Sequence, residues 1–339
     1  MQVVAAHPPH DLRSCVVIVS LAAAFSASSC KDRSSARVTA APPADDQLGD
    51  EIGSASITPS PRAYHGVAAI DSTIFVIGGQ IPGREQPPPV QSFDTITGRW
   101  SEHSSLSTPR SFPGVAERQG DLYVVGGILS SRATTETVEI FDPQRGVWRK
   151  GESLVTARNR LACVSLENAL YAIGGMDDDG NLASVEKLEK AESRWTSVAA
   201  MPTPRHGHAA VAYDGQVFVI GGYGDSGPTR VVEIYEPSRD TWKTAAPMPT
   251  ARGFHGAAVL DGRIYVLGGR GAEPHPTEVY DPASDSWKSL PNADLDRARF
   301  GTGVPIGNRI YVLAGEKHGG GLVTSELVRV FSAETGAWR

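Results

Sequence analysis

Three histidines, His65, His208 and His255, each stand three residues after an arginine, a spacing that could bring their imidazoles to one metal ion. The same offset elsewhere carries Pro113, Leu161 and Thr302, so packing is the plainer account and no metal is expected. Asp177, Asp179 and Asn181 alternate around Gly180 as oxygen donors do at the start of a calcium loop. Leu188 occupies the twelfth position, where a bidentate carboxylate would be needed, and an exposed polar hairpin tip is expected instead. Cys163 lies in the apolar run Leu161-Ala162-Cys163-Val164 and suits small core packing. The remaining candidates are cations and one carboxylate. Arg160 and Arg270 could clamp an anionic ligand, and Glu316 could act on it as an acid or base.

The elements that carry these residues must come from a chain of 339 residues with 40% hydrophobic and 21% charged side chains, enough to bury a core. Length alone would allow two ordinary domains. A net charge of −6 speaks against a nucleic-acid partner. Three cysteines without zinc-site spacing leave neither a disulfide scaffold nor a structural zinc.

Arg13 followed by the uncharged run Cys15 to Phe25 and the small residues Ser26-Ala27-Ser28-Ser29 reads as an export signal over 1–29. Ala27-Ser28-Ser29-Cys30 resembles the lipobox of bacterial lipoproteins, which implies a lipid on Cys30 and attachment to a membrane of the cell envelope. Plain secretion, or a soluble periplasmic protein, is the alternative. Residues 30–50, rich in Ser, Ala, Pro and Asp, read as a flexible tether.

From residue 51 onward one pattern is written six times. Gly-Gly pairs stand at 78–79, 126–127, 174–175, 221–222 and 268–269, and Ala314-Gly315 continues the series. The six tryptophans, Trp100, Trp148, Trp195, Trp242, Trp287 and Trp338, each follow one pair. Arg62, Arg110, Arg158, Arg205, Arg252 and Arg299 open the copies, and an aromatic precedes each Gly pair by three. A period near 47 residues, with short β-branched and aromatic runs bounded by turns such as Asp261-Gly262, predicts four antiparallel strands per copy and a propeller of six blades. The copies run about 61–108, 109–156, 157–203, 204–250, 251–297 and 298–339.

Pro-Arg, Tyr-Val-Leu-Gly-Gly, Glu-Val-Tyr-Asp-Pro and a Trp, in sequence, are similar to the Kelch repeat. The resemblance spans 61–339 and implies an all-β, six-bladed Kelch propeller. Departures are Ala314 for a Gly, Gln91 and Arg329 at the usual Glu position, and Leu188 where the other copies carry Phe or Tyr. The last copy stops at Trp338-Arg339, so its fourth strand is expected to be missing. Ile52 to Ile57 is expected to supply it and close the ring from the amino-terminal side.

In an up-and-down blade, loops between the second and third strands open on the same face as the blade-to-blade links. The residues after each Gly pair (Gln80, Ile128, Met176, Tyr223, Arg270, Glu316) and two after each blade Arg (Tyr64, Phe112, Arg160, Gly207, Phe254, Gly301) should therefore ring the channel mouth. Arginines, a carboxylate and aromatics in one cup favour ligand binding, with Tyr64, Arg160, Met176, Tyr223, Phe254, Arg270 and Glu316 as the contact set. Kelch domains that capture acidic peptides resemble this chain at Arg158-Asn159-Arg160. The expected function is an exported, monomeric, cofactor-free binding protein for a protein or glycan. The alternative is a sugar-anomer mutarotase resembling the sialic-acid enzyme, with Glu316 as acid/base and Arg160 and Arg270 as clamps. Galactose-oxidase-like copper chemistry is not expected, because Cys163 reads as small core packing rather than as a crosslinked side chain.

Overall fold

The computed structural model describes residues 60, 62–81, 88–189, 194–271, 276–294, 303–313, 316–317, 323–324 and 328–338. These form six four-stranded antiparallel sheets, with no helix among the described residues. Blade 4 is representative, with strands Ala209–Tyr213, Gln216–Ile220, Val232–Glu236 and Thr241–Ala245 paired in chain order. The first hairpin turns where Asp214 and Gly215 both have positive φ (+49° and +69°), the type I′ geometry that matches strand twist. The innermost strands of the other blades are Gly66–Ile70, Gly114–Arg118, Ala162–Leu166, Gly256–Leu260 and Gly303–Ile306.

Hydrophobic side chains pack between blades, giving six apolar clusters, one at each blade junction. The cluster that closes the ring joins Val67, Ile74, Val76, Phe93 and Trp100 of blade 1 to Val304, Tyr311 and Leu313 of blade 6. Across that seam the His65 Nε2 atom lies 3.3 Å from the Leu313 carbonyl oxygen.

Two repeated latches explain the landmarks. Each described blade arginine is buried and reaches the third strand of its own blade. Arg110 pairs with Glu139 (2.6 Å), Arg158 with Glu186 (2.6 Å), Arg205 with Glu233 (3.0 Å) and Arg252 with Glu278 (3.2 Å). In blade 1 the partner is the neutral Gln91, whose Oε1 accepts from Arg62 at 2.9 Å. The second latch joins blades. The amides of Gly79, Gly127, Gly175 and Gly222 donate to the carbonyls of Arg110, Arg158, Arg205 and Arg252 in the next blade (2.8–3.0 Å). A Cβ on Gly174 would lie 2.8 Å from both the Arg205 carbonyl oxygen and the His208 ring, which is why glycine is needed there. Four indoles also bridge to a carbonyl of the preceding blade: Trp148 Nε1 donates to Ser104 (3.1 Å), Trp195 to Glu152 (3.0 Å), Trp242 to Ala199 (2.8 Å) and Trp287 to Ala246 (2.8 Å).

Blade 6 corrects one expectation. It has a fourth strand of its own, Ala337–Trp338, pairing Phe331 with Trp338 and Ser332 with Ala337. The third strand, Val328–Ser332, runs three residues past this stub. Residues 52–57, expected to close the blade, lie outside the described residues, as do the leader, Cys30, the tether, Arg299 and Gly301.

Candidate functional site

The residues two after each blade arginine converge at one end of the central channel. Tyr64, Phe112, Arg160, Gly207 and Phe254 all have left-handed backbones, with φ of +62°, +53°, +53°, +60° and +53°. Four bulky side chains held in a conformation that costs each about 1–2 kcal/mol signal a constraint imposed by the surroundings. That constraint is a hydrogen-bonded chain around the axis. The Phe112 amide donates to the Tyr64 carbonyl (2.7 Å), Arg160 to Phe112 (3.1 Å), Gly207 to Arg160 (2.8 Å) and Phe254 to Gly207 (2.6 Å). These five residues also line the channel, of ≈ 170 Å³, whose wall continues into the innermost strands.

The residues after each Gly pair sit beside this ring on short ladders. Gln80 pairs with Ala63, Ile128 with Ser111, Met176 with Asn159, Tyr223 with His206 and Arg270 with Gly253. Glu316 lies in the strand Glu316–Lys317, opposite Thr324 of Val323–Thr324. Five of the six residues after the Gly pairs are thus tied to residues adjoining the ring, whereas Glu316 is described only in its pairing with Thr324, and Gly301 lies outside the described residues.

The side chains form a cup with an aromatic floor. Tyr64 stacks on Phe112 (centroids 4.3 Å apart), and the Arg160 guanidinium lies 4.5 Å from the Phe112 ring centre. Phe254 packs against Phe112, His206 and Tyr223 at 5.5–6.2 Å. A Cβ on Gly207 would meet the Phe254 ring at 2.8 Å, so the glycine makes room for it.

Arg160 differs from the blade arginines in its electrostatics. Its Nη1 donates to Asn159 Oδ1 (2.8 Å) and contacts Met176 Sδ (2.9 Å), and no described carboxylate pairs with it. Burial lowers its pKa, partly offset by Tyr64. A guanidinium is not deprotonated in proteins, so a half-buried cation without a counter-ion among the described residues stands in the cup.

His206 and Asn159 follow the blade arginines directly; Asn159 is part of the Arg158-Asn159-Arg160 run, whereas nothing in the sequence pattern singled out His206. His206 Nδ1 lies 2.6 Å from Asn181 Oδ1, and its pKa is lowered to about 4, first by burial and then by Arg160. Comparing blades at this position (Ala63, Ser111, Asn159, His206, Gly253) would have exposed His206.

Other candidates fall into structural roles. His208 and His255 lie against Gly174 and Gly221 of the preceding blades, filling junctions, and no metal-holding cluster occurs among the described residues. The Asp177 carboxylate accepts the amides of Asp179 (2.9 Å) and Gly180 (3.1 Å) and so shapes a hairpin tip. Cys163 lines the channel, and burial pushes its thiol pKa up to about 12. A groove of ≈ 450 Å³ opens on the opposite face between blades 3 and 4, where Lys187 is already paired with Glu189.

Comparison with known proteins agrees with this architecture. A model of the KLHDC2/KLHL20/DRC7 Kelch-repeats domain matches residues 114–315, and a Kelch motif model matches 61–107. The solved structure of YjhT superposes with a TM-score of 0.72 at 15% identity, over 85% of this chain and 99% of that one. No curated protein sequence matches this one at a significant level. The shared fold is a rigid scaffold that offers variable loops for interaction and binding. The repeats, the six blades and the family match together make the chain a member of the Kelch-repeat β-propeller family.

Proposed function

We propose that the chain is an exported binding protein, held to a membrane through a lipid on Cys30, that presents the channel-mouth cup to an anionic protein or glycan. One observation carries this reading: Arg160 is half-buried, has no described carboxylate partner and lies over the Phe112 ring at 4.5 Å. Every ion-paired blade arginine has a carboxylate, whereas this cation faces the mouth of a protein of net charge −6. An incoming carboxylate would supply the missing charge in a partly desolvated site, where charge-assisted hydrogen bonds are strongest. Tyr64, Tyr223 and Phe254 offer apolar faces beside it, and Arg270, whose backbone pairs with Gly253 next to Phe254, supplies a second cation to this reading.

The test is a thermal-shift screen with acidic sugars and acidic peptides, run on the wild type and on Arg160→Met. A ligand at about a hundred times its Kd stabilises by roughly 2.7 kcal/mol. The wild type should therefore melt several degrees higher with a cognate anion, and Arg160→Met should not. Equal shifts in both proteins would remove Arg160 from the site. Faster anomer exchange, abolished by Glu316→Gln, would instead make the cup catalytic.

A further inference from the structure

The cup holds a hydrogen-bond acceptor whose state is set from outside it. Asp225 is a carboxylate and can only accept, and it takes the Asn181 Nδ2 donor at 2.8 Å. That fixes the amide of Asn181, so its Oδ1 faces His206 and accepts from Nδ1 at 2.6 Å. His206 is therefore the Nδ1–H tautomer, and Nε2 carries a bare lone pair. Among the described residues Nε2 has no hydrogen-bond partner. Tyr223 stacks on the ring (5.7 Å, 18°) and Phe254 is tilted against it (5.7 Å, 58°), the two aromatics being 5.5 Å apart, so the imidazole is packed into one three-ring cluster.

One blade earlier the same position carries the complementary device. Asn159 Nδ2 donates to Thr134 Oγ1 (3.0 Å), which reaches Asp178 Oδ1 (3.4 Å), leaving Asn159 Oδ1 to accept from Arg160. Two equivalent relays thus orient neighbouring cup groups of opposite kind, a cationic donor and a neutral acceptor. Arg160 lies close enough to His206 to depress its protonation, which places the two in one electrostatic site.

We propose that Asp225, Asn181 and His206 form a positioning relay that makes the cup selective for hydroxy acids, with the anionic group on Arg160 and a neighbouring hydroxyl donating to His206 Nε2. The inference rests on the anion-binding reading above and narrows it. A plain carboxylate satisfies Arg160 but leaves the His206 lone pair without a donor. A carboxylate bearing a hydroxyl beside it satisfies both. An acidic side chain of a protein ligand supplies only the first contact.

The test has two arms, both on the full chain. Long-range nitrogen-proton spectra of the His206 ring at pH 7 should show the Nδ1–H tautomer, and Asn181→Leu should shift it toward Nε2–H. Calorimetry then compares quinate with cyclohexanecarboxylate, which share a ring and a carboxylate but differ in hydroxyls. Wild type should bind quinate about tenfold more tightly, the worth of roughly one hydrogen bond. His206→Phe, which keeps an aromatic ring there, should bring that ratio to about one. An Nε2–H tautomer in the wild type, or a ratio near one, overturns the inference alone. If neither anion binds, the anion-binding reading falls and the inference with it.

Discussion

The repeated Arg–Glu latch gives a stability prediction that can be worked from geometry. Glu186 is almost fully buried and accepts three donors: Arg158 Nη2 at 2.6 Å, the Val155 amide at 2.7 Å and the Thr156 amide at 3.0 Å. Glu186→Gln removes the charge opposite Arg158. In either amide orientation it also sets an NH₂ group against at least one of these donors. Removing one partner of a buried ion pair costs about 3–5 kcal/mol. For a propeller of about 280 residues, an unfolding entropy near 2.1 cal/mol/K per residue converts about 4 kcal/mol into roughly 7 °C. Blade 1 shows what a glutamine needs there: Gln91 sends its NH₂ to Glu102 Oε1 at 3.0 Å on the fourth strand. The residue opposite Glu186 is Ser197. Glu186→Gln should therefore lower the calorimetric Tm by about 5–9 °C, and adding Ser197→Glu should recover at least half of the loss. A loss below about 2 °C, or no recovery in the double variant, would refute the reasoning.

Further predictions concern protonation, the thiol and ring closure. His65 and His206 have pKa values lowered to about 4, and that of His208 lies well below 6.5. The folded state thus binds fewer protons than the unfolded state, so their stabilisation is present above pH 6.5 and is lost as pH falls toward 4. Melts between pH 7 and 4.5 should show Tm falling with acidification, with proton uptake on unfolding; a flat profile would contradict the burial of these rings. Cys163, with its thiol pushed up to about 12, should resist iodoacetamide at pH 8 until denaturant is added, as read by mass spectrometry of its peptide. Deleting residues 51–58 should sharply lower Tm, because the segment is expected to pair with the part of Val328–Ser332 that the Ala337–Trp338 stub leaves uncovered. An unchanged melt would mean the ring closes without it.

What was legible in the sequence was what every blade must repeat. Glycines without room for a Cβ, buried arginines with a third-strand carboxylate, and indoles bridging to the preceding blade recur at one period, so Trp100 to Trp338 gave the blade count. The rim positions also followed, because Tyr64, Arg160 and Phe254 hold fixed offsets from the blade arginine. Their side-chain chemistry did not follow. That Arg158 reaches Glu186 while Arg160 has no described carboxylate depends on which way each side chain leaves the backbone, and Arg160 leaves it from a left-handed turn. His206 escaped notice because its role comes from Asn181 and Asp225, 25 and 44 residues removed from their partners. The missing fourth strand of blade 6 was read from where the chain stops. Two residues past Gly336 proved enough to pair.

The central claim is that the cup binds an anion through Arg160, and a crystal structure of the protein soaked with glucuronate tests it most directly. The account predicts the sugar carboxylate within hydrogen-bond distance of the Arg160 guanidinium, with the sugar ring against the aromatics of the mouth. Glucuronate bound only in the groove between blades 3 and 4, or no density in the cup at saturating concentration, would contradict it.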